Sequence, residues 1–273
     1  MSRSVKFAYF GTPGVAASTL ESLIAAELIP TVVVTSPDAP RGRGLVLTPS
    51  ETKAVAVAHG IPILTPKRLD EATLATIREY DSELAVVVAY GKIFPQTLID
   101  SFPKGAVNVH YSLLPKYRGA TPMEAALLAG DTETGVTVQR MALELDAGDI
   151  LAQEATPIGP LETARELRPR LVGLGAHMLV ELLPRLAQSE VTPTSQEHAL
   201  ATRTRKSNKA DGQLDLTASA EENWRKYRAY ADTIGTYFFQ DDARYKITKA
   251  SFSNGRFIIE RVIPEGKSET EWH

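Results

Sequence analysis

Two polar side chains with the means to assist an acyl reaction, Asn108 and His110, lie two residues apart. Both fall at the carboxyl end of a predicted strand over 106–110, and alternation along a strand turns them to the same side. An amide donates hydrogen bonds, and an imidazole donates, accepts or carries a charge near neutral pH. The pair could stabilise the oxyanion of a carbonyl under attack. Alternatively, it only satisfies the backbone of the following loop.

A carboxylate, Asp146, lies in the turn LDAGD between two predicted antiparallel strands. Asp-Ala-Gly-Asp is ordinary turn composition, so a purely structural role is one interpretation. The other depends on proximity to the histidine. A carboxylate beside an imidazole favours its charged form and orients the ring, and it could accept a proton from an attacking amine.

Two loops could meet a ligand. Residues 112–115 (SLLP) form a rigid, apolar loop that suits either a flat hydrophobic ligand or a neighbouring helix. Residues 37–50 (PDAPRGRGLVLTPS) hold three prolines and two glycines, which predicts no regular element, and the loop is longer than most connections. Its Arg41 and Arg43 could meet a polyanion or a large substrate, or could simply be solvated.

Composition narrows the classes of protein. The 273 residues are 43% hydrophobic, contain no cysteine and carry a net charge of −3, which excludes disulfides, thiol nucleophiles and cysteine-ligated metals and argues against a global attraction for nucleic acid. No two histidines have metal-ligand spacing, and neither a signal segment nor a membrane span is predicted, so we expect a cytoplasmic protein without a metal. A local basic run over 201–210 suits either a solvated linker or contacts with phosphates; its members are Arg203, Arg205, Lys206 and Lys209.

Strand and helix signals alternate through the first half of the chain, which predicts a parallel, doubly wound α/β sheet. Its ligand should lie beyond the carboxyl ends of the strands, at 11–14, 90–94 and 108–118. Predicted parallel strands are 6–10, 31–36, 61–64, 84–89 and 106–110, with helices at 15–26, 51–59, 70–80, 95–101, 121–129 and 162–188. Antiparallel strands follow at 134–141 and 149–158. The predicted domains are 1–188 and 211–273, joined by a linker over 189–210; the second has a helix at 219–230 and strands at 236–239, 244–250 and 256–262.

The order and spacing of these motifs closely resemble the methionyl-tRNA formyltransferase family, within the wider folate-dependent formyltransferases. The segments that carry the resemblance are FAYFGTPGVAASTLESL, TSPDAPRGRGLVLTPSETKAVAVAHGIPI, AVVVAYGKIFP and NVHYSLLPKYRGATP through LELDAGDIL. Asn-x-His, SLLP and LDxGD are shared by the wider group, whereas the arginine loop and PEGK near the C-terminus point to the tRNA enzymes. The match is nearly gapless from about residue 7 to residue 151.

The resemblance implies a Rossmann-like domain that binds the co-substrate 10-formyltetrahydrofolate and a small OB-like barrel that helps to hold initiator methionyl-tRNA. Asn108, His110 and Asp146 match the family's catalytic residues, and Arg43 matches an arginine that approaches the acceptor stem. The folate-contacting loop matches Ser112, Leu113, Leu114 and Pro115, and Tyr90, Gly91 and Ile93 are expected to line the pterin pocket. The expected tRNA contacts are Arg41, Arg43, Arg203, Arg205, Lys206 and Lys209. We expect a monomer.

In the implied reaction, the α-amine of the aminoacyl ester attacks the formyl carbon, and His110 and Asn108 face the resulting oxyanion. Asp146 or a water molecule takes the proton. The C-terminal unit departs from the family, because 214–216 read LDL where a tryptophan is usual and 231–235 replace Pro-Trp-Pro. The family also has a longer insert with further strands between SFS and RFIIERVIPEGK, so the barrel here must be trimmed or incomplete. Two alternatives remain: N-formylation of a small amine such as a nucleotide-linked amino sugar, and folate or RNA binding without turnover.

Overall fold

The computed structural model describes residues 5–42 and 44–272. Its strands are β1 Phe7–Gly11, β2 Val32–Val34, β3 Ala39–Arg41, β4 Val46–Thr48, β5 Ile63–Leu64, β6 Leu84–Val88, β7 Ala106–His110, β8 Arg118–Gly119, β9 Glu133–Arg140, β10 Ile150–Pro157, β11 Arg203–Thr204, β12 Thr236–Gln240, β13 Ala243–Ser253, β14 Arg256–Pro264 and β15 Thr270–Glu271. Its helices are α1 Gly14–Ala25, α2 Glu51–Ala58, α3 Glu71–Arg78, α4 Gln96–Ile99, α5 Pro122–Ala129, α6 Ala164–Ala187 and α7 Ala220–Tyr230.

A seven-stranded sheet dominates the first part of the chain, in the order β10-β9-β7-β6-β1-β2-β5. The five strands from β5 to β7 are parallel, and β9 joins β7 in the antiparallel direction. Every residue of β1 and β6 is buried, as expected for strands covered on both faces. The parallel doubly wound sheet that the sequence predicts is therefore confirmed, with antiparallel strands added at one edge.

Helix starts follow the polar residues that the sequence places there. The Ser50 hydroxyl accepts a hydrogen bond from the Lys53 N–H at 3.0 Å, and the Asp70 carboxylate accepts one from the Thr73 N–H at 3.1 Å. Each side chain satisfies a backbone donor that the first helical turn leaves without a partner. The helices begin directly after these caps, as predicted, while most other predicted elements end one to three residues from their observed bounds.

The prediction that the arginine loop has no regular element is wrong. Residues 37–50 do contain a regular element, a short hairpin in which β3 pairs with β4. Pro40 lies in this ribbon opposite Leu47. A two-stranded ribbon has a free edge on both sides, where a residue without an N–H loses no ladder hydrogen bond. Proline therefore does not exclude a strand here, although it would in the middle of a sheet.

Contacts within the chain separate two compact units: 1–115, 136–154 and 171–201 form the first, and 116–135, 155–170 and 202–273 form the second. This grouping differs from the predicted linear boundaries, which remain predictions. The second unit includes α5, whose contacts with α7 are extensive. These earlier segments enlarge a unit that would otherwise have only about 70 residues, a marginal size for an independent core.

The second unit contains a four-stranded antiparallel sheet in the order β12-β13-β14-β15, beside α7. Its core joins the aromatic residues of α7 to the sheet: Leu214, Trp224, Tyr227, Phe238, Ile247 and Val262 are buried together. The helix and the three longer strands are those that the sequence predicts for a trimmed β unit. The two-residue strand β15 was not predicted. In the part of the chain that the structure describes, no helix has the length and apolar character that crossing a membrane requires.

Candidate active site

The register between β7 and β9 gathers polar side chains on one face of the large sheet. Asn108 lies opposite Gln139, and His110 lies opposite Thr137. Directly opposed residues share a face, so these four side chains form one polar block. The alternate residues of the same strands are buried valines, Val107, Val109, Val136 and Val138. The sheet thus presents hydrogen-bonding groups on one side while apolar packing fixes the strands from the other.

The structure brings His110 and Asp146 together, although 36 positions separate them in the sequence. The Nδ1 atom of His110 lies 3.5 Å from Oδ2 of Asp146, and only 5% and 9% of the two side chains are exposed. A buried carboxylate this close stabilises the charged imidazole and fixes the orientation of its ring, because little water screens the pair. The proximity on which the catalytic interpretation depends is present.

The turn that carries Asp146 is unusual in its backbone and well bonded. The φ angle of Asp146 is 52°, in the left-handed region that aspartate adopts more readily than most residues. Its Oδ1 atom accepts a hydrogen bond from Nε2 of Gln139 at 2.9 Å. The sequence analysis does not predict a role for Gln139. Only the register between β7 and β9, which sets Gln139 opposite Asn108, places it on the polar face.

The SLLP loop is held by one hydroxyl. Oγ1 of Thr137 donates to the carbonyl of Ser112 at 2.7 Å and accepts from the N–H of Leu114 at 3.1 Å. The side-chain nitrogen of Gln153 also donates to the Leu114 carbonyl and to Thr137 Oγ1, each at 2.9 Å. The Leu114–Pro115 peptide is cis. The hydrogen bonds of Thr137 and Gln153 make the loop that the resemblance assigns to folate a fixed bend, with Ser112 and Leu114 buried and Leu113 and Pro115 partly exposed.

The loop after β6 separates into buried and accessible parts. The ring of Tyr90 lies in an aromatic cluster, 5.5 Å from Phe10 and 6.0 Å from Phe94, and burial raises its pKa to about 12. Gly91 is exposed with a φ of 80°, and Ile93 is 92% exposed. At this loop a ligand could therefore meet the backbone around Gly91 and the side chain of Ile93, whereas the Tyr90 ring belongs to the core.

The residues assigned to tRNA differ in their surroundings. Arg203, Arg205, Lys206 and Lys209 are exposed. Arg205 is paired with Asp211, to which its guanidinium donates twice, and this pairing lowers the pKa of the Asp211 carboxyl to about 2. Arg43 lies outside the described residues, and of Arg41 only the backbone, in β3, is described.

A folate donor is compatible with these loops. A flat heteroaromatic ring with hydrogen-bonding edges requires backbone donors and acceptors beside apolar surface. The exposed backbone around Gly91, the side chain of Ile93 and the fixed bend at 112–115 supply both, at the carboxyl ends of β6 and β7. Among residues 5–42 and 44–272, no group of three histidine, aspartate or glutamate side chains is arranged to hold a metal ion.

Comparison with known proteins identifies the family. The formyl transferase family model matches residues 5–183. A methionyl-tRNA formyltransferase of Citrifermentans bemidjiense is 40% identical over 269 residues, which cover 98% of this chain and 84% of the relative. One from Thermus thermophilus is 42% identical over 266 residues, covering 96% of this chain and 86% of the relative.

Solved structures show the same fold at lower sequence identity. A methionyl-tRNA formyltransferase from Clostridium thermocellum superposes with a TM-score of 0.65 at 16% identity, covering 98% of this chain and all of that one. An N-formyltransferase from Helicobacter canadensis, solved with folinic acid and dTDP-3-aminofucose, gives 0.69 at 19% identity and covers 92% of this chain and 88% of that one. The chain belongs to the formyl transferase family and, within it, to the methionyl-tRNA formyltransferases.

Proposed function

We propose that this enzyme transfers the formyl group of 10-formyltetrahydrofolate to the α-amine of initiator methionyl-tRNA. The observation that carries the chemistry is the buried contact between His110 and Asp146, at 3.5 Å, on the same sheet face as Asn108. Identity of about 40% to methionyl-tRNA formyltransferases over nearly the whole chain supports the choice of acceptor.

His110 and Asn108 are the groups that stabilise charge. Transfer of a formyl group between nitrogens passes through a tetrahedral carbon whose oxygen becomes negative. The amide of Asn108 and the imidazolium of His110 donate to that oxygen, and donors of this kind contribute about 2.7–4 kcal/mol each in acyl-transfer sites. Asp146 keeps the imidazole charged and oriented, since its carboxylate is buried against Nδ1.

Proton transfer completes the role of Asp146. An α-amine has a pKa near 8, so a useful fraction is neutral and nucleophilic at pH 7. After attack the nitrogen carries an extra proton, which Asp146 accepts directly or through one water molecule. The oxyanion then collapses, the bond between the formyl carbon and N10 of the folate breaks, and N10 takes up a proton as tetrahydrofolate leaves. The folate donor supplies an activated formyl group when bound, and neither a metal ion nor a covalent enzyme intermediate is required by these roles.

We assign tRNA contacts to the arginine hairpin and the basic run. The hairpin exposes the apolar residues Leu45, Val46 and Leu47, and Val46 pairs with Arg41 between its two strands. Lys206 and Lys209 are exposed cations that suit phosphates. Arg205 is less suited, because Asp211 already neutralises it. We also propose that residues 211–273 act as an OB-like unit that helps to hold tRNA. The enzyme acts as a monomer and is located in the cytoplasm under the same proposal.

The test is transfer of labelled formyl from 10-formyltetrahydrofolate to purified tRNA. We expect label on methionyl initiator tRNA and far less on methionyl elongator tRNA, with none on uncharged tRNA. A donor preparation that is active with another formyltransferase controls for its quality. Absence of transfer to charged initiator tRNA under those conditions would contradict the proposal.

A second candidate acceptor is a nucleotide-linked amino sugar. The similar solved structure from Helicobacter canadensis contains such a compound, and the chain spans 84% to 86% of the two tRNA-enzyme relatives described above. The same catalytic residues would serve, because any neutral amine can attack the formyl carbon. Formylation of a dTDP-linked amino sugar together with indifference to tRNA would favour this alternative. Folate or RNA binding without turnover has no such support.

A further inference from the structure

The polar stretch after α6 lies across the turn that carries Asp146. The N–H of Ile150 donates to the carbonyl of Thr194 at 2.8 Å, and the N–H of Thr194 donates back at 2.9 Å. Oγ of Ser195 donates to Asp149 at 3.0 Å. Residues 194–196, which the sequence assigns to a linker, therefore form a short strap bonded to the end of the catalytic turn.

The strap inserts one buried amide, Gln196, into that turn. Its Nε2 atom lies 2.7 Å from the carbonyl of Gly148 and 2.9 Å from the carbonyl of Asp146. A third acceptor, Oε1 of Gln139, lies at 3.3 Å. Only 5% of Gln196 and 2% of Gln139 are exposed. An amide nitrogen has two donors, so the two short bonds fix the backbone of the turn and the longer contact orients the neighbouring amide.

Gln139 links Gln196 to the carboxylate of Asp146. The Nε2 atom of Gln196, 3.3 Å from Oε1 of Gln139, favours the oxygen on that side, so the amide nitrogen of Gln139 faces Asp146, where it donates to Oδ1 at 2.9 Å. The other oxygen, Oδ2, is the one that lies 3.5 Å from His110. Each carboxylate oxygen is thereby assigned a different partner, and rotation of the carboxylate away from the imidazole would break the bond to Gln139.

We propose that Gln196 and Gln139 are positioning residues that hold Asp146 in the orientation its catalytic role requires. The inference rests on the proposed function of Asp146 at His110. Burying two amides is costly unless every group is bonded, and an apolar pair would fill the same space without that cost. What the amides add is direction: one donor for the carboxylate and two for the carbonyls of its turn.

A double-mutant cycle tests the proposal. Gln139→Leu and Gln196→Leu are made in the wild-type enzyme and in Asp146→Asn, and kcat, KM for the folate donor and Tm are measured. In the wild-type background each should lower kcat about tenfold to a hundredfold while KM changes less than about twofold. In the Asp146→Asn background each should lower kcat less than about twofold further, because the group they position is already lost.

Ser195→Ala is the matched control, because Ser195 is exposed on the same strap but bonds Asp149. It should leave kcat within about twofold. Gln139→Glu keeps the side-chain volume while replacing the donor with a second carboxylate, so it should lower kcat at least as far as Gln139→Leu. The nitrogen resonances of His110 give a readout independent of turnover: they should shift in the Gln139 and Gln196 variants and stay unchanged in Ser195→Ala.

The positioning role would be overturned if each variant lowered kcat by the same factor in the Asp146→Asn background as in the wild-type enzyme. Unchanged His110 resonances would overturn it as well. Those outcomes leave the proposed function intact, because Asp146→Asn alone still reports on it. Full activity of Asp146→Asn would instead remove the catalytic assignment of Asp146, and the positioning role with it. The failure of the two proposals is therefore distinguishable.

Discussion

The polar face of β7 and β9 and the basic run over 203–209 use polar groups in opposite ways. On the face, His110, Asp146 and Gln139 are buried, and the separation of each pair is set by strand register and turn geometry. On the basic run the charges are exposed, and screening by water and salt weakens any single contact. The buried group should therefore respond steeply and cooperatively to substitution, and the exposed group in small, nearly additive steps.

The steepest response should follow Asp146→Asn. The substitution keeps the size of the side chain and removes the charge that stabilises the imidazolium, so the formylation rate should fall about 100-fold to 10,000-fold. Binding of methionyl-tRNA, measured by filter retention, should stay within about twofold of wild type. A large loss of tRNA affinity together with the loss of rate would contradict the distinction between the buried face, assigned to the reaction, and the basic run, assigned to tRNA binding.

Next in size is Thr137→Val, which tests the bend rather than the reacting groups. Loss of the hydroxyl leaves the Leu114 N–H and the Gln153 amide without that partner, and an unsatisfied buried polar group costs about 1–3 kcal/mol. We expect KM for the folate donor to rise by about tenfold and Tm to fall. Thr76→Val is the control, because Thr76 is partly exposed and its hydroxyl donates to the Ala72 carbonyl within its own helix. Equal effects of the two variants would contradict the role given to the bend.

Smaller, salt-dependent effects are expected from the cations that we assign to tRNA. Arg43→Ala should weaken tRNA-dependent activity and spare folate binding. Lys206→Ala and Lys209→Ala should each raise KM for tRNA a few-fold. Each phosphate contact removed should reduce the slope of log affinity against log salt by about one. An unchanged slope in a variant would show that its side chain makes no phosphate contact.

The smallest effect concerns the pair between Arg205 and Asp211. Hydrogen bonding to Arg205 lowers the Asp211 pKa to about 2, so the pair stabilises the fold above the ordinary carboxyl pKa and loses that contribution as pH falls through about 2. Arg205→Ala should lower Tm by no more than about 2 °C at pH 7, since exposed pairs contribute little. The difference from wild type should shrink below pH 4. A difference that grew on acidification would contradict the assignment.

How far the sequence predicts this site depends on the distance between partners along the chain. Asn108 and His110 are two residues apart on one strand, so alternation alone places them together. The pairing of His110 with Asp146 followed from the family resemblance, because turn composition does not specify which strand end it meets. Gln196 was assigned to a linker because its surroundings show no periodicity, and its partner Gln139 lies 57 positions away. Only the register and the bonded strap bring these amides into the site.

The hairpin at 39–48 was missed for a different reason. Three prolines and two glycines describe an irregular segment when each residue is judged alone. The pairing of β3 with β4 depends on the ribbon having open edges, which is a property of the assembled pair. Composition therefore predicted a loop that carries arginines, but not the hairpin that its backbone forms.

Single-turnover formyl transfer to methionyl initiator tRNA by wild type and His110→Ala, each saturated with tRNA and folate donor, tests the central claim most directly. The imidazole in contact with Asp146 is assigned to the reacting oxygen, so the variant should bind tRNA normally and react at least about 100-fold more slowly. Equal rates for the two proteins would contradict the assignment of His110 to the chemical step.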